Sequence, residues 1–406
     1  MSGQNPLAEP LKPPAPDQTT GTGPAPQDSG GDIGAVPTSG ARGSGHAAAE
    51  RVREDAPANG QHRRGDRGSG GRRRGRGRRE ELMVPDATFT SYYGRPVVKA
   101  APWKEEIPIY LFLGGLAAGT SLLGAGADLS NRPVLRRASR LGALGAISLS
   151  MLALVKDLGK PARFVNMLRV FKPTSPMSVG TWILTAYGPA AGIAGAAEAA
   201  KLLPVNFGWA GRLLDGAARP AGLAAAAVGP AVASYTGVLL GDTATPAWHD
   251  AHRELPFLFV ASASAASGGF GMLNAPVSEA GPARRMAIAG AVAELAIERR
   301  MERSMGLSAE TLHHGTPGKL MKASAALTAA GALGTALLGR RSRIAAAVSG
   351  LALMAGSACT RFGVFEAGQH SAQDPKYTIV PQRERANRRA AARSNGRSRE
   401  EVEDRA

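Results

Sequence analysis

Asp157, Lys160 and Arg163 stand close together in KDLGKPARF (156–164), at the end of a hydrophobic run. A carboxylate at a lipid boundary has its charged form disfavoured by desolvation unless a cation lies near, and Lys156, Lys160 or Arg163 could supply one. Such a pair can pass protons or polarise a ligand oxygen. The same residues suit a helix carboxyl end with basic side chains reaching toward water, so spacing alone leaves both readings open. Further polar and aromatic residues gather at hydrophobic boundaries: Trp103, Glu105, Glu106 and Tyr110 before the first run, Tyr235, Asp242, Trp248, His249 and His252 about the fourth, and Arg361, Glu366 and His370 leaving the last.

Positioning these residues falls to apolar segments. A bilayer core needs about 20 apolar residues of helix with every backbone group bonded inside the segment. Eight candidates meet or approach this: Ile107–Ala127, Leu141–Val155, Met177–Ala200, Pro220–Gly241, Leu255–Leu273, Met286–Ile297, Ala323–Leu338 and Ile344–Val364. The second, sixth and seventh are short, and the second and seventh can span if flanking Lys and Arg reach outward. In the sixth, Glu294 is either a proton-path residue or a sign that the segment only skims the membrane. A soluble Ala-rich helical protein is the competing reading, but windows near twenty residues without charge do not suit helices with one wet face.

The expectation is an all-α, polytopic membrane bundle of about eight transmembrane helices with disordered polar tails. The chain divides into a Gly/Pro/Arg-rich tail over 1–100, a bundle over 101–370 and a polar basic tail over 371–406. The first 35 residues hold no signal-peptide core. Small residues at helix-packing spacing, Gly115 and Gly119 or Ser264 and Gly268, suit close backbone approach in lipid. With eight spans both bundle ends share one face, as do the boundary residues named above except Tyr235, which lies within the fourth span. If that face lies outside the cytoplasm, the basic loops 131–140, around Lys201 and Arg212, Arg284–Arg285 and 339–343 lie inside.

Composition excludes several chemistries. The chain has 406 residues, one cysteine, seven histidines and a formal charge of +17. A lone Cys359 forms no internal disulfide, four-thiolate zinc site or cysteine-ligated iron–sulfur cluster. No histidine falls inside an apolar segment, which disfavours a paired-histidine haem. His249, Asp250 and His252 are the one candidate metal group, more simply read as a polar loop, so no metal is expected. The GRRRGRGRR block (71–79) reads as a solvated tail, and no nucleic acid is expected as partner.

Four stretches carry a family resemblance: YLFLGGLAAGTSLL (110–123), KDLGKPARFVNMLRVFKPTSPMSVGTWIL (156–184), YTGVLLGDTATPAWH (235–249) and RFGVFEAGQHSAQDPKYTIVPQR (361–383). Over roughly residues 100–385 the chain resembles the NrfD/PsrC family of integral membrane subunits. The resemblance implies a plasma-membrane subunit of a respiratory molybdopterin oxidoreductase complex, of the formate dehydrogenase or polysulfide reductase type. Such a subunit exchanges electrons between a menaquinone or ubiquinone pool and a four-cluster ferredoxin-like iron–sulfur subunit attached to the molybdopterin catalytic subunit. It implies termini on the docking side, and neither haem nor iron–sulfur cluster in this chain. By position, Tyr110 falls where the family places a polar ring for a quinone carbonyl; Asp157 and Arg163 lie in its DLG segment, Tyr235 and Asp242 in its YTG segment. WKEEIPIY departs from the Asn and His of the polysulfide reductase type. The expected roles are carbonyl donors for Tyr110 and Tyr235, proton relays for Asp157 and Asp242, an electrostatic partner for Arg163, and flanking or helix-anchoring positions for Trp103 and Trp248. A secondary transporter or channel is the alternative; it would want acids near the midplane and two matching halves, and no convincing repeat is evident. A self-contained membrane transferase, wanting a nucleophile and base together, fits least.

Overall fold

Runs rich in Ala and Leu, with Pro often at the first turn, make long helices. The computed structural model describes residues 96–160, 162–205 and 207–403. The expected amino-terminal tail up to residue 95, the basic block 71–79 included, lies outside these. Eight long helices form the body: α1 (Glu106–Leu129), α2 (Pro133–Leu158), α4 (Pro176–Ala200), α5 (Gly208–Gly241), α7 (Leu255–Asn274), α8 (Gly281–Ser304), α9 (Gly315–Leu337) and α10 (Arg343–Gln373). Short helices α3 (Ala162–Met167) and α6 (Pro246–Asp250) and a 3-10 turn (Gly306–Leu312) lie between them, and α11 (Lys376–Glu403) follows. No strand occurs among the described residues.

Each expected segment is one of these helices, and the second and seventh are longer than their apolar runs. Six of the eight, all but α4 and α8, are long and apolar enough to cross a membrane. Outward side chains such as Leu122, Leu149, Leu152, Leu213, Val348 and Leu351 are exposed and apolar, as lipid contact requires. The chain is an integral membrane protein.

Two groups of four helices pack side by side: α1, α2, α4 and α5, then α7, α8, α9 and α10, with α1 and α5 against α7 at the seam. Gly119 of α1 faces Ser267 and the Ala263 carbonyl of α7 so closely that a Cβ would overlap them. Small residues thus bring the two groups within backbone contact. The sixth segment does not skim: α8 packs along α7, and its Glu294 is fully buried.

The two faces of the bundle differ. On the first, Gln369 Nε2 donates to the carbonyls of Ala101 (3.0 Å) and Trp103 (3.2 Å), tying the end of α10 to the segment before α1. On the opposite face the expected basic loop 131–140 is mostly the opening of α2, and three of its four arginines are ion-paired. Arg136 Nε and Arg140 Nη1 reach Glu198 Oε1 of α4 at 3.0 and 3.2 Å, while Arg136 Nη1 and Arg140 Nη2 reach Asp128 at 3.2 and 3.4 Å. Where a disordered carboxyl-terminal tail is expected, residues 376–403 are helical, in keeping with their Ala, Arg and Glu content.

Candidate functional site

The DLG and SPMS stretches are helix ends facing one cleft. Gly159 ends α2 with φ at 71°, and Arg163 Nη1 donates to the Leu158 carbonyl at 2.9 Å, capping that end. Across α3, Pro176 opens α4; Ser178 Oγ accepts from the Lys172 amide (3.0 Å) and donates to the Val170 carbonyl (3.2 Å), which fixes the entering loop. The motif glycine, Gly180, is where the ring of Tyr235 from α5 lies against α4; a Cβ there would overlap Cε2.

These ends, with α1, line a small cleft that opens to the surroundings. Its walls are largely apolar: Ile107, Leu154, Leu158, Met167, Met177, Leu184 and Leu239. Its polar groups are few, and come from Trp103, Tyr110, Asp157, Thr181 and Tyr235. The hydroxyls of Tyr110 and Tyr235 have no protein hydrogen-bond partner among the described residues, whereas Thr181 Oγ1 donates to the Met177 carbonyl at 2.9 Å. Tyr110 is held on the other side of its helix by Ser150 Oγ of α2, which donates to the Tyr110 carbonyl at 3.1 Å. An apolar cleft with a few unpartnered donors suits the edge of a flat, mostly apolar ligand bearing acceptor oxygens.

Four of the seven expected site residues, Trp103, Tyr110, Asp157 and Tyr235, therefore meet in one place. The other three do not line the cleft. Arg163 is spent on the α2 cap, because the chain turns into α3 directly after Gly159 and carries its side chain back to the Leu158 carbonyl. Asp242, exposed at the end of α5, lines a separate, more open depression with His249, Asp250, Tyr377 and Arg385. It stands one helical step beyond Leu239 on the Tyr235 face, outside the cleft mouth. Trp248 is a core residue: Nε1 donates to the Val364 carbonyl at 2.8 Å, and its ring stacks on Trp103 at 5.7 Å. Lys156 is also otherwise engaged, its Nζ 2.9 Å from Glu106 Oε1. Asp157 is half-buried at the rim with no ion-pair partner among the described residues.

The histidine loop does not converge on a common centre. His249 Nδ1 lies 3.3 Å from the Gly241 carbonyl, His252 Nδ1 lies 2.7 Å from the His249 carbonyl, and Ser308 Oγ donates to Asp250 Oδ2.

Every residue lining the cleft falls within residues 97–299, the span matched by the profile of the family described as "Polysulphide reductase, NrfD". The chain belongs to the NrfD family. No curated protein matches it. The NrfD span ends inside α8, so α9 and α10, which complete the second group of helices, lie beyond it.

Sequence reasoning missed several contributors. Met167 of α3, Met177 and Thr181 line the cleft, yet their types are common in any apolar helix. Arg361, expected to leave the last span at the membrane face, is fully buried because α10 runs on for twelve residues beyond it.

Proposed function

We propose that this NrfD-family chain is the quinone-interacting membrane subunit of a respiratory molybdopterin oxidoreductase complex, of the polysulfide reductase or formate dehydrogenase type. The observation that carries the reading is the apolar cleft at one membrane face with two unpartnered tyrosine hydroxyls and a half-buried carboxyl at its rim. A quinone fits this donor set: its ring and tail are apolar, and its carbonyl oxygens accept hydrogen bonds. When bound, a quinone (menaquinone or ubiquinone) supplies two-electron, two-proton redox chemistry.

The chain's own residues do the rest. Tyr110 and Tyr235 orient the carbonyl oxygens, Trp103 and the aliphatic walls exclude water from the ring, and Asp157 holds or hands on a proton between the cleft and the adjoining surface. Electrons come from or go to an iron–sulfur subunit docked on the same face, itself attached to the molybdopterin catalytic subunit, as is general for the family. That face is flanked by Trp103, Glu105, Glu366 and Gln369, which line an open depression beside the cleft. The reading places the complex in the plasma membrane with the termini of the bundle outside the cytoplasm, the arginine-rich opposite face lying inside.

Tyr110→Phe and Tyr235→Phe test the assignment. Each removes one donor worth about 0.5–1.5 kcal/mol, so a quinone analogue should bind about 2- to 13-fold more weakly, and the double variant weaker still. Quenching of tryptophan fluorescence in the purified complex measures it. Analogue binding unaffected in the double variant, or solute transport by the chain alone in liposomes, would overturn the reading.

A further inference from the structure

The second group of helices contains a polar column that the cleft does not use. Glu294 of α8 is fully buried; its Oε1 accepts from Thr360 Oγ1 of α10 at 2.6 Å, and Thr360 is in turn 2.6 Å from Ser324 Oγ of α9. One turn toward the cleft-side face lies Glu298, only 6% exposed. Arg361, beside Thr360, donates from Nη2 to the Phe259 carbonyl at 2.7 Å and lies 4.0 Å over the Phe259 ring. Buried atoms remain without any partner in this column: Glu294 Oε2, Glu298 Oε2, Arg361 Nε and Nη1, and Thr328 Oγ1.

Unpartnered buried donors and acceptors are costly, and in native proteins they are usually satisfied by internal water. Here they lie in sequence along the membrane normal. Counting from the end of α8 at Ser304, Glu298 is about 9 Å and Glu294 about 15 Å deep, and Arg361 is about 18 Å from the end of α10. Two carboxyls one helical turn apart, followed by hydroxyls, are the groups that a water-linked proton chain requires. A purely structural ion pair would instead bring Arg361 onto Glu294, yet Arg361 is turned to Phe259.

We propose that α8, α9 and α10 form a proton-access path from the cleft-side surface to the middle of the bundle, with Glu298 as its entry and Glu294 as its internal proton acceptor. In the elementary step the Glu298 carboxylate takes up a proton from the surface and passes it through water to the Glu294 carboxylate, which holds it as a carboxylic acid at rest while Glu298 returns to its ionised form; no electron moves. Around Glu298 stand Arg299 and Glu302 of its own helix, while the charged group facing Glu294 from a packed neighbour is Arg361 of α10. The path is separate from the quinone cleft and does not depend on it.

Infrared spectroscopy of the purified full chain in lipid tests this without quinone or redox partner. A protonated-carboxyl band that shifts on transfer to deuterated water should be present, should vanish in Glu294→Gln and should move in Glu294→Asp. In Glu298→Gln the band should persist but exchange about a hundredfold more slowly, the low end of what a positioned proton carrier contributes. Should Glu294→Gln not fold, Glu294→Asp decides in its place. A band that stays put in Glu294→Asp, no such band in the parent protein, exchange undiminished in Glu298→Gln, or loss of the band on adding sodium ion, which would mark a cation site, each overturns the proposal.

Discussion

Gly180→Ala isolates the cleft from the bundle that carries it. The Tyr235 ring lies on the α4 backbone at this glycine, and an added Cβ would stand 2.5 Å from Cδ2 and 3.1 Å from Cζ. Carbon atoms in contact settle at about 3.5–4.0 Å, so the ring must retreat by roughly 1 Å. Overpacking of this degree costs about 1–3 kcal/mol. Because the ring carries a hydroxyl assigned to the ligand, the retreat also misplaces that donor, weakening a quinone analogue by about 2- to 13-fold. Gly192→Ala is the control: it lies on the same helix with nothing within 4 Å of its Cβ position, and gains up to about 1 kcal/mol of helix propensity. Unfolding in detergent can be followed by a thiol-reactive dye, since Cys359 is the only cysteine and is half-buried. Gly180→Ala should melt earlier and bind the analogue more weakly, with Gly192→Ala unchanged or improved on both counts. If the two variants behave alike, or Gly180→Ala binds as the parent does, the placement of Tyr235 in the site is refuted.

Two further outcomes follow from charges. Glu198→Gln leaves Arg140, which is 6% exposed, without its closest carboxylate and should cost about 3–5 kcal/mol, read by the same thiol assay; a shift below 1 kcal/mol would show that Asp128 suffices. At the other face, the Glu310 carboxylate bonded to Lys376 raises the amine above the ordinary 10.5. A raised value means that the stabilising contribution is complete below pH 10.5 and fades as pH climbs through the folded-state value. Competitive acetylation against pH, read by mass spectrometry, should place Lys376 above 10.5, and Glu310→Gln should bring it back; an unmoved value would mean the pair does not persist in solution.

The helices were legible because a lipid-facing segment must be apolar for its whole length, and that signal survives without any knowledge of packing. Their ends were not. The second span opens at Pro133 among arginines that composition assigns to a loop, because the carboxylates pairing them, Asp128 and Glu198, come from other helices. The cleft was half legible. Tyr110, Asp157 and Tyr235 each sit within two turns of a helix end that the motifs mark, so their common face follows from counting spans. Arg163, Asp242 and Trp248 share that face, yet miss the cleft by one turn or one cap, a distance set by loop geometry rather than by residue type.

The two deep carboxylates show how the helix groups differ. The two long helices that fall short of an apolar span, α4 and α8, each carry one, Glu198 and Glu294, and both are fully buried. Glu198 is met by two guanidinium groups at 3.0 and 3.2 Å, so removing its charge would leave Arg136 and Arg140 with Asp128 alone. Glu294 is met by a hydroxyl, which can donate to a carboxylate or accept from a carboxylic acid. The hydroxyl can turn to suit either form, and no ion pair has to break. The same residue type at comparable burial thus braces the first group of helices, while in the second it is free of ion pairs, as the proposed proton path requires.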